Sequence, residues 1–219
     1  MTTVATPPSL KSPPTGAPPA APPPTATRGP APKPAETGVW VGIATISMSF
    51  AALTSAMVVR GSAAPDWQHF RLPPILYFNT LVLLASSFTL ESARRRIRDV
   101  PRDVASLVPP LDGLTGLYVT LALGLLFVTG QVLAWRQLAA QGLFLATSPS
   151  SAFFYVFTAL HGLHVLGGLA GLLYVLYRLR RATGAVSSPP RTALGAAALY
   201  WHFMDVLWLY LLTILTIRV

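Results

Sequence analysis

Four side chains in the last third of this 219-residue sequence have types and spacings that could do chemistry. His161 and His164 lie three residues apart, and so do His202 and Asp205. Each pair shares a face if its segment is helical. An imidazole beside a carboxylate can clasp two helices by a hydrogen bond or relay a proton. A neutral imidazole can also ligate a haem iron. The spacing argues for the clasp. A bis-histidine haem needs ligands on opposing helices, whereas His161 and His164 sit on one. A second polar set comprises Asn79 and Gln131, together with Ser86, Ser87 and Thr89. Its hydroxyls can bond back to their own helix or across to a neighbour. The sequence has no cysteine, which removes thiolate metal sites and disulfides. No glycine-rich loop runs into Lys and Ser or Thr, and no nucleophile stands beside a base.

The elements that must position these groups follow from composition. Hydrophobic residues make up 53% of the chain and charged residues 11%, against roughly a quarter charged in an ordinary soluble domain. The net charge is +9. A basic balance can signal nucleic acid, but here the arginines separate long apolar runs, so no nucleic-acid partner is expected. The fold class is all-α: a polytopic membrane protein. Five segments approach the ~20 apolar residues that a helix needs to cross a bilayer. They are Gly38–Val59, Pro74–Leu90, Leu114–Trp135, Ala152–Tyr177 and Ala193–Ile217. Gly61, Pro65, Pro73, Pro101, Pro109, Pro110, Pro149, Pro189 and Pro190 punctuate them. Residues 37–219 form this transmembrane domain. Residues 1–36 hold 12 of the 21 prolines and read as a disordered Pro/Ala-rich tail, because such a stretch cannot bury enough apolar surface to offset its ordering entropy.

Orientation follows from Lys and Arg. With the N-terminus inside, the inner segments carry twelve of them, including Arg94, Arg95, Arg96, Arg98, Arg178, Arg180 and Arg181. The outer segments carry only Arg60, Arg71, Arg136 and Arg218. The tail is therefore expected in the cytoplasm and the C-terminus on the periplasmic or extracellular side. At ~1.5 Å per residue, Asp205 and His161 both come out roughly 15 Å from the inner surface. An ionisable group at that depth needs a partner. Spans four and five are sequential and antiparallel, so Asp205 is expected to bond His161 or His164, with His202 in the same interhelical polar cluster. Asn79 and Gln131 both fall toward the outer side and are expected to meet there. Gly167 and Gly171 form a small-xxx-small pair suited to close helix approach. Trp201 and Trp208, one heptad apart, read as packing or lipid-facing aromatics.

Three stretches together resemble subunit III of the haem-copper terminal oxidases. The first is Asn79-Thr80 with Ser86-Ser87 and Thr89. The second is His161-Gly162-Leu163-His164-Val165 with Gly167 and Gly168. The third is Tyr200-Trp201-His202-Phe203-Met204-Asp205-Val206-Leu207-Trp208. The resemblance covers residues 38–219, and the five spans look like the short bacterial form. It implies a non-catalytic accessory subunit in a bacterial inner membrane, partnered by oxidase subunits I and II and by membrane lipids, which packs against subunit I and supports stability and proton uptake during oxygen reduction. It implies that haem and copper reside in the partner subunits, that this chain has no catalytic, cofactor-binding or metal residues of its own, and that phospholipid is bound. Two positions depart from the family pattern, which has glutamates where this sequence has Ile46 and Ala134. Their loss favours packing and lipid retention over a direct part in moving protons. Two other readings stand beside this one: an accessory protein of a nitric-oxide-reductase type complex, and a haem- or quinone-binding membrane redox protein using His161, His164 and His202.

Overall fold

The computed structural model describes residues 34–63, 65–99, 111–181 and 189–219. They form five α-helices: α1 (Pro34–Ala63), α2 (Ile75–Asp99), α3 (Leu111–Ala140), α4 (Pro149–Arg181) and α5 (Pro189–Arg218). Each helix contains a stretch long and apolar enough to cross a membrane, and no strand occurs among the described residues. The expected all-α, five-span architecture is what forms. Helix α1 begins at Pro34, inside the segment assigned to the tail. The rest of that segment lies outside the described residues.

Every helix outruns its apolar run, because the backbone keeps its hydrogen bonds past the hydrocarbon edge. Helix α2 continues beyond Leu90 through Glu91, which forms ion pairs with Arg95 at 2.9 Å and Arg94 at 3.2 Å. Such (i, i+4) and (i, i+3) pairs support a helix. Pro149 opens α4 rather than merely breaking the chain. It occupies the first turn, where a missing amide costs nothing. Ser148 and Ser151 cap that turn reciprocally, each hydroxyl accepting the other's backbone N–H. At the end of α3, Gly142 adopts a φ of 78°. Its N–H bonds Ala139 and that of Leu143 bonds Leu138, the Schellman arrangement that closes a helix through a left-handed residue.

Helices α2 and α3 make the closest pair. Helix α5 packs on α1, α2 and α4, and α4 also meets α1 and α3. The α2–α3 approach is set by glycines on α3. A Cβ on Gly116 would lie 2.7 Å from Ala93 Cβ, and one on Gly130 would overlap the Asn79 amide. On α4 the close approach falls on Gly168, against Trp201 and Tyr200 of α5. The Gly167–Gly171 pair sits one position further round: Gly167 has only the Tyr200 hydroxyl at 3.9 Å, and Gly171 faces open space. Within this chain that pair brings no helix close.

One end of the bundle is strapped by the α1–α2 connection. Trp67 Nε1 donates to the Arg218 carbonyl at 3.0 Å, and the Phe70 N–H donates to the Val219 carbonyl at 2.8 Å. Ser150 donates to the Gln68 carbonyl at 2.6 Å. Trp67 also packs over Gly61. Trp67→Phe keeps an aromatic ring and removes one of these bonds. It should cost about 0.5–1.5 kcal/mol, read as a lowered unfolding midpoint in detergent. No change would mean that the strap is held by Phe70 and Ser150 alone.

Candidate functional site: the seam between α2 and α5

The polar residues singled out on α2 and α5 meet along one antiparallel seam. Trp208 Nε1 donates to Thr80 Oγ1 at 3.0 Å. Two turns along α2, Trp201 Nε1 donates to Ser86 Oγ at 3.0 Å. Next to it, Ser87 Oγ and His202 Nδ1 share a hydrogen bond of 2.5 Å. The spacing explains the register: Ser86 and Ser87 follow Thr80 by six and seven residues, and Trp208 follows His202 and Trp201 by six and seven, in each case nearly two turns. Two helices running in opposite directions can therefore zip these positions together. Ser86 also donates to its own helix at Leu83, 2.6 Å away, so its oxygen is used twice. Both tryptophans are 1% exposed. They are core residues with satisfied N–H groups and do not face lipid. Tryptophan buried in this way usually finds a partner for its N–H.

Asp205 is 5% exposed, and neither carboxylate oxygen has a hydrogen bond among the described residues. Its nearest ionisable neighbour is His202, with Nδ1 3.9 Å from Oδ2. The bond expected from His161 or His164 is not formed. His161 is fully buried, and neither ring nitrogen has a partner among the described residues. It lies among aromatic rings, 5.1 Å from Trp208 and edge-on to Phe127 at 5.9 Å. His164 turns to α1, edge-on to Phe50 at 5.9 Å, and its Nδ1 bonds the Leu160 carbonyl at 2.6 Å. The physical reason is angular. Three residues along a helix leave two side chains about 60° apart, enough for His161 and His164 to address different neighbours.

The second polar set is divided too. Ser86 and Ser87 join the seam. Thr89 bonds Thr120 of α3 at 2.9 Å. Asn79 is 1% exposed and fits against Gly130 of α3, one residue from Gln131. Neither polar atom of Gln131 has a partner among the described residues, so the two amides do not pair. Ile46 and Ala134, the positions at which the resemblance called for glutamates, are both in the core.

Glu91 was not singled out from the sequence, yet it reaches the seam. Its Oε2 lies 3.9 Å from His202 Nε2. A carboxylate one helical turn beyond Ser87 was the available signal, hidden because it reads as part of an arginine-rich helix end. Among the described residues no group of three or more His, Cys, Asp or Glu is placed to hold a metal ion.

The sequence is similar to those of known proteins. The profile of cytochrome c oxidase subunit III matches residues 47–217. The chain is 33% identical to the cytochrome c oxidase subunit 3 of Thermostichus vulcanus, over 82% of its own length and 85% of that protein's. It is 32% identical to the subunit 3 of Synechocystis sp., over 80% and 71% respectively. The probable cytochrome c oxidase subunit 3 of Mycobacterium tuberculosis is 32% identical over 84% of this chain and 88% of that one. The chain belongs to the cytochrome c oxidase subunit III family, and so to the subunits of haem-copper oxidases.

Proposed function

We propose that the chain is a non-catalytic accessory subunit of a bacterial haem-copper terminal oxidase. In this reading it packs against the catalytic subunit I of a core that also contains subunit II. Haem and copper belong to that core. The observation that carries the reading is the α2–α5 seam. The first and third family-like motifs serve to hold α2 and α5 together, through Thr80–Trp208, Ser86–Trp201 and Ser87–His202. The histidines do not converge on a common point: His161 is enclosed by Phe127 and Trp208, and His164 bonds its own helix. The test is copurification. A tagged chain should bring a haem-copper subunit with it in one detergent particle. Recovery of the chain alone, or with a different respiratory core, would contradict the assignment.

The chain's place is the bacterial inner membrane, with its N-terminus in the cytoplasm and its C-terminus on the opposite side. The excess of arginine at the shared end of α2 and α4 supports this orientation.

The subunit also holds phospholipid. A groove of about 320 Å³ between α2 and α3 supports that part of the reading. Phe88 and Val119 line its apolar wall, and Ser92, Thr115 and Arg96 stand at its arginine-rich end. An acyl chain fits the wall, and a phosphate fits the guanidinium and hydroxyls. Arg96→Gln should lower the anionic phospholipid retained after detergent extraction, by about fivefold if the contact is worth 1 kcal/mol, the usual value for one interfacial arginine. Equal retention, measured by mass spectrometry of the extracted lipid, would remove this groove from the account.

A further inference from the structure

His202 stands between two carboxylates that belong to different environments. Its Nε2 faces Glu91, which is about one-third exposed and lies among Arg94 and Arg95 at the arginine-rich end. Its Nδ1 faces Asp205, whose oxygens are buried and without a hydrogen bond among the described residues. Each gap is 3.9 Å, too long for a hydrogen bond and short enough to close by a small swing of the ring. Ser87 holds the ring in this position through Nδ1. We infer that Glu91, His202 and Asp205 form a proton relay. It loads and unloads a proton on the buried Asp205 from the arginine-rich side of the membrane.

The step balances as follows. Glu91, having taken a proton from water, gives it to Nε2, and a new N–H bond forms as the O–H bond breaks. The imidazolium then releases its Nδ1 proton to the Asp205 carboxylate, and the Ser87 hydroxyl turns to donate to the vacated Nδ1. The net change is one proton moved from Glu91 to Asp205. The ring is left protonated on Nε2, and the reverse transfer, from Asp205 to Nδ1 and from Nε2 to Glu91, restores the starting tautomer as Asp205 unloads. Histidine suits the task because its two nitrogens are distinct and each can gain or lose a proton near neutral pH. A serine or amide in its place would make the same hydrogen bond without carrying charge.

The other groups packed around α5 do not compete for the ring. From α4, His161 faces Trp208, and the His164 carbonyl accepts the Tyr200 hydroxyl. From α1, Thr54 accepts from Tyr210, more than two turns further along α5. The relay goes beyond the proposed accessory role and is a property of this chain's own residues.

Infrared difference spectroscopy on the full chain in lipid nanodiscs tests it. The readout is the carbonyl stretch of a protonated carboxyl group and the rate at which it shifts after transfer to D2O. That band should disappear in Asp205→Asn, which assigns it. In His202→Gln the band should remain but exchange more slowly, by on the order of 10²-fold, the usual contribution of a positioned proton-transfer group. Glu91→Gln should slow it in the same direction. His202→Gln retains a hydrogen-bonding partner for Ser87, so a purely structural role for His202 would leave the exchange rate unchanged. That result, or the absence of any band assignable to Asp205 across the accessible pH range, would overturn the relay. The measurement reads the same whether or not an oxidase core accompanies the chain, so a failed copurification and a failed relay are separate outcomes.

Discussion

Trp201→Ala is expected to be the most destabilising single substitution in the α2–α5 seam. Trp201 is 1% exposed, lies against Gly124 and Gly168, and donates to Ser86. Truncating a buried tryptophan in a soluble core costs about 3–5 kcal/mol. In a bilayer the transfer part of that cost is small, since lipid is as apolar as the core. What remains is the dispersion attraction that the atoms lining the new cavity would forfeit. The lower end, about 3 kcal/mol, is therefore expected. Trp201→Phe removes only the N–H donor and most of one ring, leaving Ser86 its bond to Leu83. Its hydrogen-bond loss should stay within the ~0.6–1.7 kcal/mol range of interhelical bonds in membranes. Reversible denaturation in mixed micelles separates the two. If Trp201→Ala unfolds within about 0.5 kcal/mol of the original protein, the size of an ordinary surface change, the seam is not a principal support of the bundle.

The second large effect lies at the α2–α3 contact. Gly116→Ala adds a single methyl group, yet its Cβ would stand 2.7 Å from Ala93 Cβ and 3.4 Å from Ala93 Cα. No flexible side chain is there to swing aside, so the helices must separate. Overpacking of this kind costs about 1–3 kcal/mol. The direction is informative, because helix propensity alone favours alanine over glycine by about 1 kcal/mol. Moving the methyl across the interface, in Ala93→Gly with Gly116→Ala, should restore most of the loss. A double-mutant cycle would then show coupling of about 0.5–3 kcal/mol. Additive losses would mean that the clash is relieved elsewhere and that the α2–α3 spacing is not set at this pair.

The contrast between these residues and the histidines shows what a sequence can disclose here. The five spans were legible because the bilayer makes hydrophobic length the dominant signal. Rotation about each helix axis was not. His161 packs against Trp208, within one turn of Asp205 on α5, yet it faces Phe127 and Trp208 while Asp205 faces His202. Which neighbour a residue meets depends on how the helices roll against one another. That roll is fixed by small residues such as Gly116, Gly130 and Gly168, whose partners are far away in sequence. The same reason explains why the close approach falls on Gly168 rather than on the Gly167–Gly171 pair, and why Glu91 does not stand out in the sequence. The hydroxyls Ser86 and Ser87 are recognisable as helix-bridging groups, but their tryptophan and histidine partners depend on the register in which α2 and α5 pack.

In the proposed accessory role, this family member lends structure to oxygen chemistry carried out by another polypeptide. The most direct measurement is the visible absorption spectrum of the purified oxidase particle, before and after this chain is stripped away, alongside that of the chain alone. The haem bands are expected to stay with the remaining core at full intensity, and the isolated chain to be colourless. A Soret band on the isolated chain, lost when His161, His164 or His202 is replaced, would contradict it.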